Sequence, residues 1–455
     1  MGYPEYISQA GSQRQAEAFP KHRCAKIIAI LNSGADAPHW LILIPQWWRR
    51  MQQTAGSTDS RANVSAGNPL DRQTARQHPA KTSLPEKMHA LTSLRFFAAL
   101  YVVLYHTLWA AIPGLTPTSS IGGRVLSLGY LSVGFFFLLS GYILSVVYMR
   151  EGQPVAKRAF YAARFARVYP LFFVTLVAGT PFLFLARLEK YRLYSAMAKT
   201  AVSFLGHVFM LQAWILPLRG IDNPNWSLSV ETLFYVLFPF LGVWVWGLKR
   251  RSHVLFVAIG VYAASQFLVN AVYSHIPTDV AELNPLLHLG TFTLGVLLGR
   301  WQTLYRNEHG SSPANSYTSG LALLLAVTIF AGVVAWQPRP PLAKLLDGLL
   351  APMFALVIWA LSNSRSVFSR WLSTPWLIVL GEASYGLYLI HYVLYQLFEA
   401  IGGTHTPALL PLYLLSAIGL SIFSLYYVET PARKWLLKRL HTRPKETMEA
   451  ASDAQ

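Results

Sequence analysis

A histidine follows an arginine by eleven residues in an otherwise apolar stretch, from Arg95 to His106. On an α-helix this spacing puts both side chains on one face, with levels about 16 Å apart. An ionisable side chain that deep in apolar sequence is costly in a membrane and marks a function by default. A histidine that only bonds to a neighbouring helix is the alternative interpretation.

A carboxylate that could act with this histidine begins another apolar run, in the stretch from Asn225 to Glu231. Ser227 and Glu231 are one turn apart and share a helix face. Glu231 has no basic residue in its own run, so His106 is its natural partner, and the pair would give a base and a group that orients it. The alternative is an interfacial glutamate near a helix N-terminus, where negative charge is favoured.

Two further groups of polar residues share a helix face. Arg164 and Arg167 are three residues apart, and guanidinium groups of this kind suit phosphate, although basic residues also mark the inner side of a membrane. Ser384, Tyr388 and His391 lie in apolar sequence and would line a polar cavity, contact sugar hydroxyls or bond between helices.

Other chemistry has little support. His207 and His288 lack comparable neighbours and are interpreted as structural. The single cysteine, Cys24, excludes an intramolecular disulfide and a cysteine-rich zinc site, and we expect no metal. The sequence also contains no Walker loop, dinucleotide-binding glycine pattern, His-Glu-x-x-His or Gly-x-Ser-x-Gly motif.

The elements that must position these residues are membrane helices. Hydrophobic residues make up 53% of the 455 residues and charged residues only 13%, which excludes a soluble enzyme. The net charge of +18 comes from basic clusters between apolar runs, which argues against a nucleic-acid partner. The apolar runs are 91–112, 126–149, 168–186, 200–216, 227–248, 254–272, 286–299, 318–336, 345–362, 376–401 and 408–428.

The basic clusters between these runs predict an all-α, polytopic membrane bundle of about ten transmembrane helices, with both termini cytoplasmic. The basic clusters that include Arg167 and Lys249 are both placed on the cytoplasmic side, so the number of membrane crossings between them must be even. Three apolar runs lie there. Either 168–186 or 200–216 therefore forms a re-entrant or partial helix. Pro170 and Pro181, together with a basic cluster that follows them, favour 168–186 as this helix. The shorter length of 200–216 favours that run instead.

The chain divides into three parts. Residues 1–87 are polar. This composition indicates either a disordered tail or an upstream extension of a protein whose true start lies near Met88. We expect residues 88–435 to form the transmembrane domain and residues 436–455 to form a short cytoplasmic tail.

The chain resembles the membrane-bound acyltransferase-3 family, bacterial proteins that O-acylate extracytoplasmic glycans and related molecules. The resemblance covers residues 90–435, and Tyr142 replaces a usual phenylalanine. Five motifs occur in the family's order: Arg95 with His106; Phe135 to Tyr142; Arg164, Arg167, Tyr169 and Pro170; Trp226 to Glu231; and Ser384 to His391. This chain resembles the stand-alone type, without the C-terminal hydrolase-like domain of many relatives.

The resemblance implies transfer of an acyl group, commonly acetyl, from cytoplasmic acyl-CoA to a hydroxyl of an extracytoplasmic or lipid-linked glycan. His106 would act as general base or carry the acyl group, with Glu231 and Arg95 in the same site. Arg164 and Arg167 would bind the donor. Trp226, Ser227, Ser384, Tyr388 and His391 would contact the acceptor.

The same resemblance implies a multi-pass protein of the bacterial inner membrane, in contact with lipid and associated with polysaccharide synthesis or export machinery. Two other functions fit the residues: a transporter or flippase for a lipid-linked glycan, and a structural subunit of an export complex. A structural subunit would have no need for charged residues within the membrane, which are costly to place there.

Overall fold

A computed structural model describes residues 88–112, 114–116, 120–149, 155–221, 223–309, 316–336, 345–363, 366–404 and 406–441. The predicted tail 1–87, Cys24 within it, and residues 442–455 lie outside the described residues. The described residues contain helices and connecting segments but no strand, so the predicted all-α class is confirmed.

The helices follow one another through the whole described chain. In order they are α1 His89–Ala111, α2 Ile121–Ser127, α3 Leu131–Tyr148, α4 Lys157–Leu188, α5 Leu193–Val208, α6 Trp226–Trp246, α7 Arg251–Tyr273, α8 Thr278–Ala281, α9 Pro285–His309, α10 Ser316–Trp336, α11 Ala351–Asn363, α12 Val367–Leu372, α13 Pro375–Ala400, α14 Leu410–Ser424 and α15 Thr430–His441.

Short 3₁₀ turns occupy Leu216–Leu218, Asn223–Asn225 and Pro407–Leu409, and π-helical turns occupy Leu345–Leu349 and Leu425–Glu429. The last of these joins α14 to α15, so that Pro407–Leu440 reads as one 34-residue apolar helix. Glu429 therefore lies within a helix and does not end one.

Eight helices among the described residues are long and apolar enough to cross a membrane. They are α1, α3, α4, α6, α7, α10, α13 and the composite helix Pro407–Leu440. The predicted number of about ten includes two more: α9, which is 25 residues long but more polar, and α11, which has 13 residues. The polytopic membrane bundle is thus confirmed.

The structure decides which of the two ambiguous runs fails to cross. Helix α4 continues through Pro170 and Pro181 for 32 residues, about 48 Å, so the expectation of a broken helix at 168–186 is wrong. Helix α5 has only 16 residues, about 24 Å, less than the hydrocarbon thickness. The run 200–216 is therefore the partial helix.

The non-helical chain after α5 obtains hydrogen bonds from neighbouring side chains. The Tyr169 hydroxyl donates to the carbonyl of Val208 at 3.2 Å, and the Ser229 hydroxyl donates to that of Met210. Met210 has φ +57°, in the left-handed region, where the chain turns back. Irregular backbone at membrane depth is tolerated where protein groups satisfy it in this way.

Glycines let two helix pairs approach closely. In α9, a Cβ built on Gly295 would lie 2.0 Å from the carbonyl oxygen of Leu138 in α3. In α13, a Cβ on Gly381 would lie 2.1 Å from the carbonyl oxygen of Thr92 in α1. Small residues at such contacts are how membrane helices pack without a hydrophobic driving force. The second contact sets the distance between α1 and α13.

Basic residues lie at both ends of the bundle, and Arg187 and Lys190 at the end of α4 belong to the end opposite Lys157. At one end, named the basic end after Lys157, Arg251 and Arg300, the Arg300 side chain donates to the carbonyls of Leu248 at 3.0 Å and Trp246 at 3.2 Å. These bonds cap the last turn of α6. The opposite end carries the last residues of α7 and α13 and the π-helical turn Leu345–Leu349.

Candidate active site

Two histidines from different helices meet inside the bundle. His106 in α1 and His391 in α13 place Nδ1 and Nε2, respectively, 3.3 Å apart. His391 is fully buried, whereas His106 is only partly buried. His106 lies five residues before the end of α1, about 7 Å from it, so it sits nearer the opposite end of the bundle than the basic end.

Hydrogen bonds assign the protons on both rings. His391 Nδ1 lies 2.7 Å from the carbonyl oxygen of Tyr388, so this nitrogen carries a proton and Nε2 presents its lone pair. His106 Nδ1 faces that lone pair and also the carbonyl oxygen of Val102 at 2.9 Å. Both neighbours are acceptors, so His106 Nδ1 carries the proton and its Nε2 is left as the basic atom.

His391 is itself held by its surroundings. The Tyr413 hydroxyl donates to the carbonyl of His391 at 2.9 Å. One turn away, the hydroxyls of Tyr388 and Ser227 are 2.8 Å apart, and the carbonyl oxygen of Pro224 lies 2.9 and 3.1 Å from them. The structure thus joins the start of α6 to α13 beside the histidine pair.

Glu231 does not pair with His106, which corrects the sequence-based expectation. Its Oε1 accepts hydrogen bonds from Tyr235 and, at 3.2 Å, from Ser140. The Nδ1 atom of His106 lies instead within hydrogen-bond distance of the Val102 carbonyl oxygen and of His391 Nε2. The reason is depth: Glu231 lies one turn further towards the basic end than Ser227, at the level of Arg95.

Glu231 belongs to a charged layer about 16 Å from His106, measured along α1 from Arg95. The charges of Arg167, Glu231 and Glu429 act on the Arg95 guanidinium. Arg433 interacts in turn with both Arg164 and Arg167. We name the set Arg95, Arg164, Arg167, Glu231, Glu429 and Arg433 the arginine layer; it holds four guanidinium groups and two carboxylates.

Arg164 is fixed within this layer by aromatic residues. Its Nη2 donates to the Tyr148 hydroxyl at 3.0 Å. Its guanidinium carbon lies 5.5 Å from the ring centroid of Tyr148 and 5.9 Å from those of Phe160 and Tyr235. Rings at this distance attract the cation without neutralising it, so its charge is available to an anion.

Two predicted acceptor residues lie outside the histidine site. The Ser384 hydroxyl donates to the carbonyl of Gly381 in its own helix at 2.7 Å. The Trp226 ring packs on His288 and Phe137, with centroids 5.3 and 6.1 Å away. The structure therefore brings His106, His391, Ser227 and Tyr388 together, and it leaves these two at the periphery.

Several site residues were missed at the level of sequence. Tyr235 could have been found, because it follows Glu231 by one helical turn, and Ser140 lies within the Phe135–Tyr142 motif. His288, interpreted as structural, lies 3.2 Å from Asp347, with Nδ1 facing Oδ1.

Within the described ranges no group of three His, Cys, Asp or Glu side chains could hold a metal ion.

Comparison with known proteins identifies the family of this chain. The model of the family described as "Acyltransferase domain" (Acyl_transf_3) matches residues 88–426. The chain belongs to the acyltransferase-3 family. It is accordingly an acyltransferase, and its helices make it a multi-pass membrane protein.

Several similar proteins are named as acyltransferases or O-acetyltransferases. The chain is 30% identical to the acyltransferase MdmB of Streptomyces mycarofaciens over 68% of this chain and 79% of that protein. It is 24% identical to the O-acetyltransferase OatA of Staphylococcus aureus over 81% of this chain and 60% of OatA. A putative Staphylococcus aureus O-acetyltransferase, SAS0844, matches at 24% over 78% of this chain.

The match spans 59% of SAS0844, so two fifths of that relative lies outside it. No solved structure gives a significant match. By name, MdmB is an acyltransferase and OatA is an O-acetyltransferase.

Proposed function

We propose that this protein transfers an acyl group, most readily acetyl, from cytoplasmic acyl-CoA to a hydroxyl of an extracytoplasmic or lipid-linked glycan. The observation that carries the proposal is the His106–His391 contact, which leaves His106 Nε2 as a basic atom on a partly buried ring. A neutral imidazole with one free lone pair is the usual general base for a hydroxyl nucleophile.

The proposed reaction uses this atom twice. The acceptor oxygen forms a bond to the carbonyl carbon of the thioester while His106 Nε2 takes the hydroxyl proton. The carbon–sulfur bond then breaks, and the leaving thiolate takes that proton from the imidazolium. His391 supports this cycle because its Nε2 lone pair faces the Nδ1 proton of His106 and stabilises the charged ring.

The arginine layer is the proposed binding site for the donor. Coenzyme A is a polyanion with phosphate groups, and guanidinium groups bind phosphate through paired, charge-assisted hydrogen bonds. Arg164 and Arg167 provide two such groups, with Arg95 and Arg433 nearby. The separation of about 16 Å between this layer and His106 suits a donor whose thioester lies at the end of a long arm.

The proposed orientation follows from charge. The basic end faces the cytoplasm of a bacterial inner membrane, because loops rich in lysine and arginine stay on that side. Both termini are then cytoplasmic, and the acceptor approaches the histidine pair from the opposite end. We keep four residues as proposed acceptor contacts. Ser227 and Tyr388 lie beside the histidine pair, and Trp226 and Ser384 lie at the periphery of the site.

The test uses purified protein in lipid vesicles with acetyl-labelled coenzyme A and a glycan and glycolipid extract of native cells. We expect thiol release coupled to labelling of the extract, and loss of both in His106→Ala. The exposed His253 provides a matched control, and His253→Ala should behave as wild type. Extract-dependent movement of glycan across the vesicle without donor consumption would contradict the proposal and favour a flippase.

A further inference from the structure

An acid–histidine pair, separate from the His106–His391 pair, lies at the opposite end of the bundle. Asp347 belongs to the π-helical turn Leu345–Leu349, and His288 begins the second turn of α9. Their side chains are fully buried, and Asp347 Oδ1 lies 3.2 Å from His288 Nδ1. Neither of these two atoms has another hydrogen-bond partner among the described residues.

The other atoms of the pair fix its proton count. His288 Nε2 lies 3.0 Å from the carbonyl oxygen of Glu282, so Nε2 carries a proton and Nδ1 has a lone pair in the neutral ring. Asp347 Oδ2 accepts from the Tyr273 hydroxyl at 2.6 Å. An ionised Asp347 would therefore turn a second lone pair towards Nδ1 at 3.2 Å, which is repulsive.

One additional proton removes this repulsion, whether it resides on the carboxyl group or on the ring. Buried polar atoms are nearly always hydrogen-bonded, so the contact itself indicates that the proton is present. The titratable groups that face the pair from neighbouring elements are Tyr273 of α7, Glu282 after α8 and Tyr130 before α3. None of them carries a positive charge that could replace the proton.

The backbone holds Asp347 in this position. Gly348 has φ +95°, which favours glycine, and a Cβ there would lie 2.4 Å from the Thr291 hydroxyl of α9. The amide of Gln266 donates to the carbonyl of Asp347 at 3.2 Å, and the Tyr262 hydroxyl donates to that of Leu349 at 3.0 Å. The turn is thus tied to α7 and pressed against α9.

The pair connects to the candidate active site through one aromatic ring. The His288 ring lies 5.3 Å from the Trp226 ring, centroid to centroid. Trp226 is the first residue of α6, and the next residue, Ser227, bonds to Tyr388 beside His391. A change in the orientation of the His288 ring would therefore shift Trp226 and, with it, Ser227 on the acceptor side of His106.

We infer that Asp347 and His288 share one proton and that this proton positions Trp226 and Ser227 for the acceptor. Asp347 is on this inference a positioning residue for acyl transfer, and the inference rests on the proposed function. At high pH the shared proton leaves, the two side chains repel each other, and the start of α6 loses its support. Acceptor binding then weakens while the donor site at the basic end is unaffected.

The variant Asp347→Asn separates the proton from the geometry. The asparagine oxygen accepts from Tyr273, and its amide nitrogen donates to His288 Nδ1 without any titratable proton. Asp347→Ala removes both contacts. The asparagine variant should therefore keep the native arrangement at every pH, and the alanine variant should lose it at every pH.

The first readout is thermal unfolding of the purified protein in lipid nanodiscs as a function of pH. The folded pair holds a proton that the unfolded histidine releases above about pH 6.5, so wild-type stability should fall as pH rises above this value. The fall should be smaller in Asp347→Asn and unchanged in the control Glu308→Gln, an exposed carboxyl at the basic end. Parallel curves for wild type and Asp347→Asn would overturn the inference, even with no measurable acyl transfer.

The second readout is acyl transfer to the glycan and glycolipid extract at increasing pH. In wild type, the apparent acceptor KM should rise about tenfold per pH unit once the proton is lost. Asp347→Asn should show a flat acceptor KM, and Asp347→Ala a raised one throughout, both with the donor KM of wild type. Asparagine behaving like alanine, or a normal acceptor KM in Asp347→Ala, would contradict the inference. Activity in His106→Ala would instead count against the proposed function.

Discussion

The Nε2 atom of His391 lies 3.3 Å from the Nδ1 atom of His106, although the two histidines are 285 residues apart in the chain. The contact orients one imidazole by another and not by a carboxylate. Because His391 is fully buried and bonded to the Tyr388 carbonyl, it holds His106 in a single tautomer.

We predict that His391→Ala lowers kcat by about 10- to 100-fold, less than loss of the base itself, which is worth about 10²–10⁴-fold. The residual activity is expected because Val102 still holds the Nδ1 proton of His106 at 2.9 Å. The donor KM should not change, since the arginine layer is distant. Steady-state kinetics with labelled acetyl-CoA provides the measurement, and a raised donor KM with normal kcat would assign His391 to donor binding instead.

Arg164→Ala combined with Arg167→Ala should raise the donor KM by about tenfold or more, because a hydrogen bond to a charged group contributes about 1.5–3 kcal/mol. The melting temperature should fall as well, because Arg164 loses its contacts with Tyr148, Phe160 and Tyr235, so the kinetics are measured below it. Arg158→Ala is the matched control, since Arg158 is exposed on the same helix. An unchanged donor KM and rate would leave the pair with a role in membrane topology alone.

Glu231→Gln should lower the melting temperature, because Arg95 then loses a neighbouring negative charge within the bundle. The shape of the pH–rate profile should stay as in wild type, since Glu231 bonds to Tyr235 and Ser140 and not to His106. The profile and the melting curve are measured on the same preparation. A collapse of kcat with unchanged donor KM would restore Glu231 as the partner of His106.

Gly381→Ala should destabilise the protein by about 1–3 kcal/mol, the usual cost of overpacking, because its Cβ would lie 2.1 Å from the Thr92 carbonyl oxygen. Separation of α1 from α13 should also lower kcat by widening the histidine contact. Gly419→Ala is the control, since a Cβ there meets nothing within 4 Å. Equal melting temperatures for the two variants would show that this helix contact tolerates displacement.

The sequence predicted the class of fold because charge content and the length of apolar runs are local properties. It also singled out His106, His391, Ser227 and Tyr388, which the structure brings together. It did not reveal which residues pair, because depth along a helix is visible in sequence only relative to that helix. Glu231 was therefore assigned to His106, although its helix begins deep in the bundle.

Two other features depend on contacts between distant segments. Pro170 and Pro181 favoured a broken α4, yet neighbouring groups allow prolines inside membrane helices, and α4 is continuous. Asp347 lies within an apolar run, and only the turn at Gly348 brings it to His288. Neither outcome follows from residue type or spacing.

Whether His106 Nε2 is the general base is tested by comparing wild type, His106→Ala and His253→Ala in lipid vesicles with acetyl-labelled coenzyme A and the glycan and glycolipid extract. Melting curves first establish that all three are folded. We predict label transfer by wild type and His253→Ala and a loss of at least about 10²-fold in His106→Ala. Transfer at the wild-type rate by folded His106→Ala would remove His106 Nε2 from the mechanism and contradict the account.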